Sequence, residues 1–283
     1  MIYSINNQEL SVKITDFGAE MISVKYRGKE RLWQNDDGNW SGHAPILFPF
    51  CGNCQMLLQG KDYGSGFHGF ALKQVFAVAQ QSESSITFCL TDNAQTLENY
   101  PFSFAFYVQY SLKEDTIGIT YRIENRSDKT MYYACGAHDS FALPASVEAF
   151  ALEFPQAESF IYQLHDANGR LSGATEDHGE GKRLPLENRD QSIGDSVILK
   201  SLRSRSALLV ESANDRCLAQ ITFPDFSNLL LWHPKNSNMI CIEPWQNLPD
   251  DADDTQNEFS DKPGVLMLAP RQSGEHHRTI QYF

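Results

Sequence analysis

Apolar and polar residues alternate with period two along much of the chain. Leu10, Val12 and Ile14 share one face, with Ser11 and Lys13 on the other. Ile86, Phe88 and Leu90 repeat the pattern, as do Phe104, Phe106, Val108 and Tyr110, then Ile117, Ile119, Tyr121 and Ile123. Successive side chains of a strand point to opposite faces, so this spacing predicts half-buried β-strands. Later runs are shorter and continuous: SVILK (196–200), SALLVES (206–212), CLAQITF (217–223), NLLLWH (228–233), MICIE (239–243) and GVLMLAP (264–270). These predict strands buried on both faces. Arg27-Gly28-Lys29 and Lys113-Glu114-Asp115 supply turns between runs. Only DNAQTL (92–97) predicts helix, as a single capped turn. Many short strands with almost no helix predict an all-β sandwich or barrel.

No composition break and no fixed-period repeat interrupts this pattern, so a single domain over residues 1–283 is expected. The polar segment 165–195 reads as a long connection with a small hairpin, and the acidic tract 250–254 as a solvated loop. The chain is 41% hydrophobic, enough for a large core, and its 12% aromatic share suits strands and aromatic-lined pockets. A formal net charge of −13 argues against nucleic acid and against an anionic membrane surface, because both need clustered Lys and Arg. A neutral, hydroxyl-rich ligand is compatible with that charge. The opening MIYSINNQEL lacks the basic and apolar regions of a signal peptide, and no run approaches the roughly 18 apolar residues of a membrane span. A cytoplasmic protein is expected, with its six thinly spread cysteines as free thiols.

The common nucleotide, zinc-protease and serine-hydrolase motifs are absent. Cys51 and Cys54 fit CxxC, but no βαβ unit flanks them and no further zinc ligands stand at suitable spacing; two ordinary loop thiols is the simpler reading. Three other places set titratable groups among aromatics at strand ends. His68 sits in GFHGFA (66–71), His138 in YYACGAHDSFALP (132–144), and Glu243 closes the apolar run MICIE before Pro244 and Trp245. Each alone is more often a satisfied structural residue. Together they suggest a shared pocket, where burial raises the carboxyl pKa of Glu243 toward working pH.

These residues resemble the aldose 1-epimerase (galactose mutarotase) family, nearest its LacX-like branch. The resemblance is carried by APILFPFCGN (44–53), HGFA (68–71), CGAHDSF (135–141), GDSVIL (194–199), NLLLWHP (228–234) and CIEPW (241–245), in the family's order. It implies a galactose-mutarotase-like supersandwich of two large antiparallel sheets with an open sugar cleft. It places the catalytic base on Glu243, the catalytic acid on His138 and a substrate-holding histidine on His68. Asp225, in TFPDFSN, takes the place of a sugar-binding aspartate, and Trp245 or a nearby Phe stacks on a sugar face. No metal or organic cofactor is implied. The chain departs from the family where a sugar-contacting arginine commonly stands: Asn53, which takes that substrate-binding place, follows Gly52, and Leu72-Lys73 follows HGFA. Neither Asn nor Leu replaces a bidentate arginine, so poor binding of hexose 6-phosphates is expected. Asp139 also follows His138 where the family commonly has Pro. The expected activity is interconversion of α and β anomers of a neutral aldose. A noncatalytic carbohydrate-binding or sensing protein on the same fold is the alternative, and a hexose-6-phosphate epimerase a weaker third.

Overall fold

The structure, a computed structural model, describes residues 1–188, 196–253 and 257–283. The alternating runs pair as their spacing requires. Phe104–Lys113 and Thr116–Asn125 form a hairpin in which Phe106 faces Ile123, Val108 faces Tyr121 and Tyr110 faces Ile119. All six side chains are buried. Glu114 turns the hairpin in the left-handed region, at φ 53°.

The described residues build one antiparallel ladder of 15 strands and an N-terminal sheet of 4 strands, Ile2–Asn6, Leu10–Thr15, Met21–Tyr26 and Lys29–Glu30. At one end of the large ladder Ile46–Leu47 pairs with Gly136–Ala137, which pairs with Met239–Trp245. Asn228–Trp232, Val197–Leu199 and Phe150–His165 follow in order. Ile5, Val12 and Ile14 of the small sheet share one apolar cluster with Phe88, Phe106 and Tyr121, and with Leu209, Leu229 and Ile242. The expected all-β class with large antiparallel sheets is the fold observed. The one α-helix among the described residues, Ala94–Asn99, starts at a capping box: Asn93 Oδ1 accepts the Thr96 N–H, and Thr96 Oγ1 accepts the Asn93 N–H. No helix is long and apolar enough to cross a membrane among the described residues.

Three sequence expectations are corrected. Much of 165–195 is a strand, Leu171–Pro185, paired along Phe150–His165 through several register shifts. Its side chains are mostly exposed, so no hydrophobic periodicity marks it. Residues 189–195, including Gly194 and Asp195 of the GDSVIL stretch, lie outside the described residues. The run 264–270 supplies only Leu266–Leu268, paired with Met131–Tyr133 in a sheet of 2 strands, which leaves Met267 73% exposed. Asp250, finally, is buried rather than solvated. Its Oδ2 accepts the Gln55 N–H at 2.8 Å, its Oδ1 pairs with Lys262, and its backbone carbonyl accepts the Leu171 N–H at 2.9 Å. Asp254 of the same tract lies outside the described residues.

A second buried charge pair joins distant strands. Asp139 Oδ2 takes Arg278 Nη1, and Arg278 Nε donates to Tyr121 Oη at 3.0 Å. Both charged side chains are almost wholly buried, at 0% and 1% exposure. Removing one member of such a pair strands the other charge in the core. Asp139→Ala is expected to cost about 3–5 kcal/mol in a denaturant titration, and the double change Asp139→Leu with Arg278→Met to recover most of that loss.

Candidate active site

The strand Met239–Trp245 is buried at every position. It runs between Asn228–Trp232 and the strands at 136–142, which supply its hydrogen bonds on both edges. Period two sends Ile240 and Ile242 into the main core. Met239 and Cys241 pack with Trp33, and Trp245 packs with Leu47, Cys51, Ile198 and Leu230. Glu243 therefore shares its face with Cys241 and Trp245 and enters a cleft instead of the core. Gly136 stands opposite Trp245 in the ladder, where a Cβ would lie 2.6 Å from Cys51 Sγ and 2.9 Å from the indole. Only glycine leaves room for that ring.

The cleft has a volume of about 420 Å³, within the usual range for small-molecule sites. Glu243 is 0% exposed, and neither carboxylate oxygen has a hydrogen-bond partner among the described residues. His138 Nε2 stands 3.4 Å from Glu243 Oε1. Burial pushes the Glu243 carboxyl well above the usual range; the Trp245 N–H opposes the rise and the charge of Asp139 adds to it. That indole N–H is committed to Ala137 O at 3.2 Å. Burial also pushes His138 down to about 4. Asp139, beside it in sequence, turns away to Arg278 and does not touch the imidazole.

His68 is placed by an unusual backbone. Its φ is +62° and that of Gly69 is +70°. A Cβ on Gly69 would fall 2.2 Å from Phe48 O, so the turn admits only glycine there. Gly52 pins His68 twice: its carbonyl accepts the His68 N–H at 2.8 Å, and its N–H donates to His68 Nδ1 at 3.1 Å. The His68 ring meets the His138 ring edge-on at 5.5 Å and the Trp245 ring at 5.5 Å. Burial, with His138 next to it, pushes His68 down to about 3.

The structure thus brings Glu243, His138, His68 and Trp245 to one cleft. Two other sequence candidates are occupied elsewhere. Asn53 Nδ2 donates to Asn168 O at 2.7 Å, so the side chain holds the turn of the 150–185 hairpin. Asp225 is exposed and accepts the His277 N–H at 2.7 Å; it does not line the cleft. Leu72, where the family commonly carries an arginine, lines the cleft as an apolar side chain. Cys51 and Cys54 are free buried thiols tied to Asn247, whose Oδ1 accepts the Cys51 N–H at 2.7 Å.

The sequence reading missed Trp40, Trp232 and His165. Trp40 lies face to face with His138, ring centroids 5.1 Å apart at 20°, and meets Trp232 edge-on at 5.4 Å. Trp40 comes from a loop with no periodic pattern, so nothing local marked it. Among the described lining residues there is no lysine or arginine. The donor atoms of His138, Cys241 and Glu243 lie within 4.8 Å of one another, a set of ligand types able to hold a divalent cation.

The cleft thus sets a buried carboxyl beside an imidazole under an aromatic wall. Comparison with known proteins gives the family. The aldose 1-epimerase family model matches residues 1–259. The chain is 32% identical to the LacX proteins of Lactococcus lactis subsp. lactis, one chromosomal and one plasmid-borne, over 294 residues and 95% of each chain. A galactose mutarotase-like protein from Lactobacillus casei superposes with a TM-score of 0.91 at 28% identity over 100% of both chains. A galactose mutarotase related enzyme from Lactobacillus acidophilus gives 0.88 at 29% identity, over 100% of this chain and 97% of that one. This chain belongs to the aldose 1-epimerase family.

A buried carboxyl with no partner opposes folding once the unfolded chain can ionise it. Its folded pKa is raised, so the cost is absent below the unfolded value near 4.5 and grows as pH rises above it. Glu243→Gln is therefore expected to raise the melting temperature by about 2–4 °C at pH 8, the shift for roughly 1 kcal/mol. At pH 4 the gain should vanish in the same calorimetric scan.

Proposed function

We propose that this protein is an aldose 1-epimerase for a neutral aldose, with Glu243 and His138 as its acid–base pair. The observation that carries the reading is the Glu243 carboxyl, wholly buried and without a hydrogen bond among the described residues, 3.4 Å from His138 Nε2 in a sugar-sized cleft. Such a group is poised for a ligand hydroxyl. Trp40, Trp232 and Trp245 supply apolar ring faces of the kind that pack on a pyranose.

The pair needs a single proton between its two members. With the proton on His138, the Glu243 carboxylate takes the proton from O1 while the imidazolium gives its proton to the ring oxygen. The C1–O5 bond breaks, the O1–C1 bond becomes a carbonyl, and the open-chain aldehyde forms. The pair is then neutral, with Glu243 protonated and His138 not. Rotation about C1–C2 presents the other carbonyl face to O5. Closure returns both protons and yields the opposite anomer. Burial favours the neutral pair, the form that accompanies the open chain.

A purified-protein polarimetric assay on fresh glucose and galactose tests this. Glu243→Gln and His138→Ala should each lower kcat by about 10²–10⁴-fold. Binding of sugar without any acceleration by the native protein would instead establish the noncatalytic carbohydrate-binding alternative. The kcat/KM profile should hold through neutral pH and fall toward pH 4, as a second proton reaches the pair at His138. At high pH it should fall again when the pair loses its only proton, above the raised value of Glu243. Hexose 6-phosphates should bind at least about tenfold more weakly than the parent sugars in titration calorimetry, since no cation stands among the described lining residues.

A further inference from the structure

His165 ends the strand Phe150–His165 and lines the same cleft, yet the acid–base chemistry does not use it. The residue is 8% exposed. Nδ1 stands 3.0 Å from the backbone oxygen of Ser196 and 3.2 Å from Ser196 Oγ. A carbonyl oxygen only accepts, so Nδ1 carries the hydrogen. Burial pushes the imidazole down, which keeps it neutral at working pH. A neutral ring with a hydrogen on Nδ1 has a bare lone pair on Nε2. No protein partner meets that nitrogen among the described residues.

His68 is the opposite case. The Gly52 N–H donates to its Nδ1, so that nitrogen is the acceptor and Nε2 carries the hydrogen. The cleft therefore presents one imidazole donor and one imidazole acceptor, each fixed by a backbone contact on its far nitrogen.

We propose that His165 is a specificity-determining residue of this site, its Nε2 accepting a hydrogen bond from one ring hydroxyl of the bound sugar. The proposal deepens the epimerase reading and rests on it. An oxygen without a hydrogen cannot satisfy this subsite, and neither can a methylene. The preferred substrate is thus an aldose that keeps a free hydroxyl at the carbon facing His165, while His68 donates to an oxygen that need carry no hydrogen. The wall bearing His165 is held in place from outside the cleft. Asn53 grips Asn168 in the adjoining turn, and Asp250 O accepts the Leu171 N–H.

Two measurements test the assignment. Long-range nitrogen–proton NMR of the native protein should show His165 with hydrogen on Nδ1 and His68 with hydrogen on Nε2. Kinetics on glucose, galactose and their monodeoxy analogues should show one analogue whose KM exceeds that of its parent by about tenfold. His165→Ala should raise KM for the parent sugar by about the same factor, with kcat within about twofold, and leave KM for that analogue unchanged. His165→Gln, which keeps a polar chain, should fall between the two. Equal KM increases for parent and all analogues, or hydrogen on Nε2 of His165, would overturn the proposal. If His165→Ala fails to fold, the glutamine variant and the native spectrum decide. A native protein that turns over sugars with no loss traceable to His165 removes the subsite alone; one that neither binds nor equilibrates any aldose removes both readings.

Discussion

Desolvation of one carboxyl organises this molecule. The strand Met239–Trp245 is buried from end to end, and its outward face at position 243 meets a cleft instead of packed side chains. Among the described residues no group hydrogen-bonds the Glu243 oxygens, an exception among buried polar groups, which as a rule find partners. The neighbouring imidazole is held against Trp40 and kept from charging by the same dry surroundings. Water would solvate both charges and make the ionic arrangement of the pair the resting one. The apolar wall instead makes the neutral arrangement, with Glu243 protonated and His138 not, the resting one.

Two ion pairs that a reader of the chain would assign to the surface support this site from behind. Asp139 follows His138 directly, yet alternation along the strand sends its carboxylate to Arg278 and the imidazole to the cleft. His138 is thereby fixed at its backbone by a neighbour that never touches its ring. Asp250 plays a similar part on the far wall, joining Lys262 and the Gln55 backbone while its carbonyl holds Leu171. Charges buried in such positions contribute little to net stability, because the cost of desolvation offsets their attraction.

Much of this was legible along the chain. Period-two runs at 104–110 and 117–123 became the hairpin they predicted, because their faces meet a core on one side only. The acid before Pro244 and Trp245 announced itself by chemistry out of place at the end of an apolar strand. Leu171–Pro185 was not legible: it is wet along most of its length, and its register comes from backbone pairing alone. Trp40, Trp232 and His165 were not legible either, since their convergence is set by folding across long sequence distances. Asn53 and Asp225 show the converse failure. Each stands near a motif that predicts contact with sugar, but a nearer backbone group takes its side chain first.

The division between a strand buried at every position and a hairpin whose outer strand is mostly exposed has an evolutionary consequence. Glu243 rides on an element where nearly every substitution disturbs packing. Gly169 and His165 sit at the tip of a ribbon whose outer residues face solvent, where exchanges usually change stability by no more than about 0.5 kcal/mol. Such a ribbon can shift its tip through neutral variation at a distance. The lining of the cleft at this tip can then diverge among descendants while the strand that carries Glu243 is inherited intact.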